Sequence, residues 1–219
     1  MNSLGGKKML VTRPEHDPGT RYLSRWSESL IEDAEGRGMQ VIDLFREKAN
    51  AAEFTGRLDK ADPSLVVLNG HGSDTSVTGH DNKPLVSADG GQARLKGRIT
   101  YAVSCNSAAV LGPSCGDERT AYIGYAKSFI FNINRQYLTR PKNDARAGRF
   151  LTASNRVVES LLSGHTAAES SARSKAAFLQ QILALLSSSS TDPDDRDDMQ
   201  TLLWDMKHQV CCGNGDMTL

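Results

Sequence analysis

The sequence predicts an α/β fold: a three-layer α/β/α sandwich with a mainly parallel sheet and extra helices toward the C-terminal end. Three observations carry that reading. Short apolar runs recur at residues 9–12, 39–45, 65–68, 99–103 and 121–125. Runs without polar alternation suit strands covered on both faces, as in parallel sheets. Stretches with helical apolar spacing separate several of them, and strand–helix alternation implies βαβ units with right-handed crossovers. From about residue 144 the texture becomes helical.

Taken in order, the first strand (9–12) is stopped by Pro14, and the loop 13–19 holds two prolines and a glycine. Thr20 is placed to cap a helix, with Leu23, Trp26, Leu30, Ile31 and Ala34 on its buried face. Gly36 and Gly38 end that helix. The second strand (39–45) and a short helix (53–58) lead to the third strand (65–68). The polar stretch 73–98 is long for a plain connection, and such loops are often functional. A small hairpin is expected in it around Leu85 and Val86. The fourth strand (99–103) runs into a short helix expected at 107–111, and the fifth strand is 121–125. Beyond 144, one helix carries Ala147, Phe150, Leu151, Val157, Val158, Leu161 and Leu162 inward and closes at Gly164. Another opens at Thr166 with Ala172, Ala176, Leu179, Ile182, Leu183 and Leu186 expected inside. The Ser- and Asp-rich run 187–198 reads as a solvated linker. A last helix (199–206) and a terminal strand near Val210 complete the chain.

At 219 residues the chain suits a single domain, 1–219. Its α/β core is expected at 1–125 and a helical part at 144–219. Basic and acidic residues number 26 each, which argues against a general nucleic-acid or membrane-surface binder. No apolar run approaches the ~20 residues of a transmembrane helix. No apolar stretch of signal-peptide length follows Lys7 and Lys8, so a cytoplasmic protein is expected. Cys105, Cys115, Cys211 and Cys212 are then most simply free thiols. They form no C-x-x-C pair, so no structural metal and no cofactor are expected. Vicinal Cys211 and Cys212 would form only a strained disulfide.

The chemistry concentrates at two strand ends. Asn69-Gly70-His71-Gly72 follows one apolar run, and Ser104-Cys105-Asn106-Ser107 closes the next. In open α/β sheets the working residues lie just past the carboxyl ends of strands. Adjacent strands would thus set His71 beside Cys105, a base beside a nucleophile. A helix starting directly after Cys105 would favour the thiolate. The Gly72 and Cys105 backbone N–H groups could aim at a developing oxyanion. No carboxylate is evident that would orient His71. Gly70-x-Gly72 is not a dinucleotide loop, because the full G-x-G-x-x-G is absent.

These two motifs, with His before Cys and each at the end of a neighbouring strand, resemble the caspase-like cysteine peptidases. The CHAT peptidases, related to separase, clostripain and the gingipains, are the most similar subgroup. The run Ala121-Tyr122-Ile123-Gly124-Tyr125 resembles the strand after the catalytic helix in those domains. The resemblance implies a peptide-bond hydrolase with Cys105 as nucleophile, His71 as general base and acid, and no metal. In this family the loop after the first strand often lines the S1 pocket. Asp17, Glu15 and Arg13 are therefore S1 candidates, with Asp17 and a basic P1 residue favoured; Asp74 and Asp81 are further rim candidates. Some Arg-specific relatives carry an Asp where this chain has Val103. The resemblance also implies a protein substrate and an effector switched on by a protein partner, in a prokaryotic defence or cell-death pathway. The competing readings are a catalytically silent adaptor of the same fold and, more remotely, a phosphate-binding module.

Overall fold

The computed structural model describes residues 4–187 and 193–219. It is a mixed α/β structure in which helices cover both faces of a six-stranded, mainly parallel sheet, a three-layer α/β/α sandwich. In chain order the elements are β1 (Lys8–Arg13), α1 (Pro18–Trp26), α2 (Glu28–Gly36), β2 (Gln40–Phe45), α3 (Ala51–Ala61) and β3 (Leu65–Asn69). Three short strands follow, β4 (Gly72–Ser73), β5 (Ser76–Thr78) and β6 (Pro84–Ser87). Then come β7 (Ile99–Val103), α4 (Leu111–Cys115), β8 (Ala121–Tyr125), α5 (Ala145–Leu162), α6 (Ala167–Ser187), α7 (Pro193–His208) and β9 (Gln209–Gly213).

The main sheet runs β2-β1-β3-β7-β8-β9, parallel except for β9, which pairs antiparallel with β8. Successive side chains on a strand face opposite ways, and the sheet uses both directions. Met9, Val11, Leu65, Val67, Tyr101 and Ile123 face one core, shared with α1, α2, α5 and α6. Leu10, Val66, Leu68, Ala102 and Tyr122 face the other, shared with α3, α4 and the β4-β5-β6 sheet. That small antiparallel sheet is what the expected hairpin becomes; Val77, Leu85 and Val86 plug it into the second core.

Four expectations are corrected. The helical stripe 20–34 is two helices, broken at Ser27, whose hydroxyl bonds Leu23 O at 2.8 Å. The N-cap of α1 is Asp17, in a capping box with Thr20. The inward face of α6 is Ser170, Ser171, Ser174 and Phe178, whereas Ala172, Ala176, Leu179, Leu183 and Leu186 are exposed. Small serines let α6 approach α5, where the Ser174 hydroxyl donates to Ala153 O at 2.8 Å. The expected linker instead contributes the first turn of α7 from Pro193 onward; residues 188–192 lie outside the described residues. Proline at the start and Asp194 and Asp195 in the first turn favour that helix. No helix among the described residues is long and apolar enough to cross a membrane.

Asp144 ties the layers together from a fully buried position. It caps α5 by accepting from Arg146 N at 3.0 Å and Ala147 N at 3.2 Å. Its other oxygen accepts from the Tyr22 hydroxyl of α1 and from Asn134 N, both at 2.8 Å. Replacing it with alanine orphans all four donors. Each unsatisfied buried donor costs about 1–3 kcal/mol, so Asp144→Ala should lose at least about 3 kcal/mol in urea unfolding, with Asp144→Asn losing clearly less.

Candidate functional site

The sheet order decides where the site forms. From β1 the chain goes to β2 on one side, then crosses back to β3 on the other. The loops leaving β1 and β3 therefore part in opposite directions, opening a crevice at the carboxyl ends of the two strands. Asn69 closes its floor. Its amide donates to Thr12 O at 2.9 Å and to the Ser27 hydroxyl at 3.0 Å, and its N–H donates to the Thr12 hydroxyl at 3.0 Å.

The loop from β1 brings Asp17, and the loop from β3 brings His71. The His71 imidazole donates from Nε2 to Asp17 Oδ2 at 2.7 Å. The same carboxylate accepts Thr20 N through Oδ1 at 2.8 Å, as the cap of α1. Burial opposes the charge on Asp17, but the Thr20 N–H and then His71 hold its carboxyl below the usual carboxylate range. His71 is thus oriented by a carboxylate after all, and its remaining ring nitrogen, Nδ1, is the one left for chemistry. Its backbone is clamped as well: His71 O accepts from Thr78 N at 2.8 Å and from the Thr78 hydroxyl at 3.2 Å.

Cys105 follows β7, the strand beside β3, so it lies across from His71. The two line one cleft of about 140 Å³ whose other walls include Thr20, Leu23, Val103, Phe129 and Phe131. The loops touch closely at Gly72. A Cβ placed there would lie 2.5 Å from Cys105 O and 3.0 Å from Ser104 Cβ, so only glycine fits. The Cys105 thiol donates to Phe129 O at 3.6 Å. The expected helix does not begin at 107. Residues 104–110 are irregular, with Asn106 at φ +60°, because Asn106 N and Ala108 N bond Lys127 O and Tyr125 O. The helix-terminus argument for Cys105 therefore falls. The other thiols are poor competitors, since burial pushes Cys115 up to about 12, Cys211 up to about 11, and Cys212 upward.

The remaining candidates are distributed as follows. Arg13 is buried and pairs with Asp43 through two bonds, at 3.0 and 2.6 Å, with Glu28 at 3.4 Å. The Glu15 carboxylate is held by Arg25 at 2.7 Å and Arg46 at 3.0 Å. Asp74 ties its carbonyl to Val110 N and Leu111 N, and Asp81 is exposed beside His80. None of these lines the Cys105 cleft. Sequence reasoning missed Asp17 as the partner of His71, and it missed His16. A donor atom from each of His16, Asp17 and His71 lies within 4.8 Å of the others, a spacing that could hold a cation. The capping pattern Asp17-x-x-Thr20 was readable, but contact with His71 needed the sheet order.

No protein-family model and no curated protein matches the chain.

The Asp17 carboxyl is depressed in the folded protein, so its contribution to stability is present above its unfolded value, about 3.9. That contribution is lost as pH falls through the lower folded value. Asn is also a good cap, so Asp17→Asn isolates the charge. Thermal unfolding should show the variant less stable by about 1 kcal/mol near pH 6, with the two proteins converging as pH falls through that lower folded value.

Proposed function

We propose that this protein is a cysteine endopeptidase working through Cys105 and His71, with Asp17 orienting the imidazole. The observation that supports it most is the shared cleft: a thiol and a carboxylate-held imidazole on neighbouring strand ends, with glycine where the two loops meet. An adaptor has no need of that arrangement. The caspase-like resemblance of the two motifs points the same way.

The chemistry runs as a proton circuit. The Cys105 thiol turns from Phe129 O toward His71 Nδ1 and gives up its proton. The thiolate adds to the scissile carbonyl carbon, and the Gly72 and Cys105 N–H groups are the donors at hand for the oxyanion. His71 returns the proton to the departing amine, leaving a thioester on Cys105. Water, deprotonated by the same nitrogen, then releases the acid and restores the thiol. Asp17 keeps Nε2 protonated, which leaves Nδ1 free to act as the base.

Specificity follows from what lines the cleft. Asp17 is committed to His71, Glu15 to two arginines, and Arg13 to Asp43. The walls near Cys105 are mostly apolar, and a cavity near 150 Å³ can hold a benzene ring. An apolar side chain next to the scissile bond therefore fits better than Arg or Lys, because no carboxylate is among the residues lining the cleft. Activation by a protein partner also has a physical route. The 126–134 loop that bonds the Cys105 thiol is strapped to α7, through Ile130 N on Asp205 at 3.1 Å and the Trp204 indole on Ser128 O at 2.9 Å.

Cleavage of a peptide library tests the proposal. Wild type should cut after apolar residues, Cys105→Ala and His71→Ala should lose about 10³-fold or more in kcat, and Asp17→Asn should lose on the order of 10² at similar KM. Cleavage that persists in Cys105→Ala would end the proposal.

A further inference from the structure

His16 precedes Asp17 in the loop after β1, and its ring is nine-tenths buried. Its Nε2 lies 3.2 Å from Asp17 Oδ2, the oxygen that also accepts from His71 at 2.7 Å. Two imidazole nitrogens therefore lie beside one carboxylate oxygen, His71 by a hydrogen bond and His16 by proximity. His16 Nε2 hydrogen-bonds Asn82 Oδ1 at 3.0 Å, a contact that a metal ion on that nitrogen would replace. A third imidazole, His80, packs edge-on against His16 with ring centroids 5.4 Å apart. The Nδ1 atoms of His16 and His80 are both buried without a hydrogen-bond partner. Burying unpartnered nitrogens costs stability.

We infer that His16, Asp17 and His71 form a binding site for a divalent transition metal, Zn²⁺ by preference, whose occupation silences Cys105. Two histidines and a carboxylate, with a position left for water, are a recurrent zinc set. Tetrahedral donors about 2.0–2.1 Å from the metal stand ~3.3 Å apart; the His16–Asp17 spacing of 3.2 Å already fits, and the His71–Asp17 contact of 2.7 Å must open to admit the ion. The His71 side chain is half exposed, which gives the ion a way in. The silencing follows from imidazole chemistry and rests on the peptidase reading. A neutral ring whose Nε2 lone pair binds metal carries its proton on Nδ1 and cannot accept one from a thiol.

The test is calorimetric titration of chelator-treated full-length protein with Zn²⁺, in a Cys105→Ala background so that the thiol cannot bind the ion. One Zn²⁺ per chain is expected, with affinity falling at least tenfold in both His16→Gln and His71→Gln while the metal-free melting temperatures stay close to the parent's. No binding, or binding that survives both substitutions, overturns the site. Peptide cleavage is not read in this titration, so it stands or falls apart from the peptidase proposal. In the cleaving wild type, one equivalent of Zn²⁺ should stop hydrolysis and EDTA should restore it; full activity at full occupancy overturns the silencing.

Discussion

Everything at the site depends on the parting of the chain between β1 and β3. Two parallel neighbours whose connections leave in opposite directions expose backbone at their carboxyl ends, and that crevice must be filled or used. Here Asn69 fills the floor, spending its side-chain amide on Thr12 and Ser27. The same bonds fix where α1 breaks into α2, and they leave the rims to the loops carrying Asp17 and His71. Without that pin, the 2.7 Å contact between the two would lack a fixed base.

The charged groups around the crevice are sorted by partner. Burial opposes the charge on Arg13, but Asp43 and then Glu28 hold the guanidinium above its ordinary value, so it serves the β1–β2 edge. Glu15 neutralises Arg25 and Arg46 on the flank. Only Asp17 turns toward the cleft, because capping α1 with one oxygen leaves the other free for an imidazole. A second tier lies under the 126–134 loop. Buried Asp198 accepts from Asn132, Arg146 and Arg149, while Asp205, pushed well above the carboxylate range by burial, holds Ile130 N. The segment facing the Cys105 thiol is thus anchored on α7, far along the chain.

Much of this was legible in the sequence, for identifiable reasons. β7 and β8 begin and end where their apolar runs do, and β3 extends one residue further, because a strand covered on both faces has no polar alternation to blur its limits. Once those strands were neighbours, His71 and Cys105 had to share an edge. The failures came where tertiary contact outweighed local pattern. The leucines of α6 looked like a core face, yet its serines go inside because they allow closer helix packing and find partners there. Residues 107–110 have helix-compatible composition, but their N–H groups and those beside them are drawn to β8 and to Asp74 O. Asp17 reads in the sequence as an S1 carboxylate, since nothing local shows that the imidazole it meets lies 54 positions away.

The central claim is that Cys105 is a nucleophile served by His71, and covalent trapping tests it most directly. Wild type and His71→Ala would be treated with a peptidyl halomethyl ketone bearing an apolar residue at the reactive end, and the adducts mapped by mass spectrometry. The account predicts a single adduct on Cys105, formed at least about 100-fold more slowly without His71. Equal labelling of Cys211 and Cys212, or a rate indifferent to His71, would contradict it.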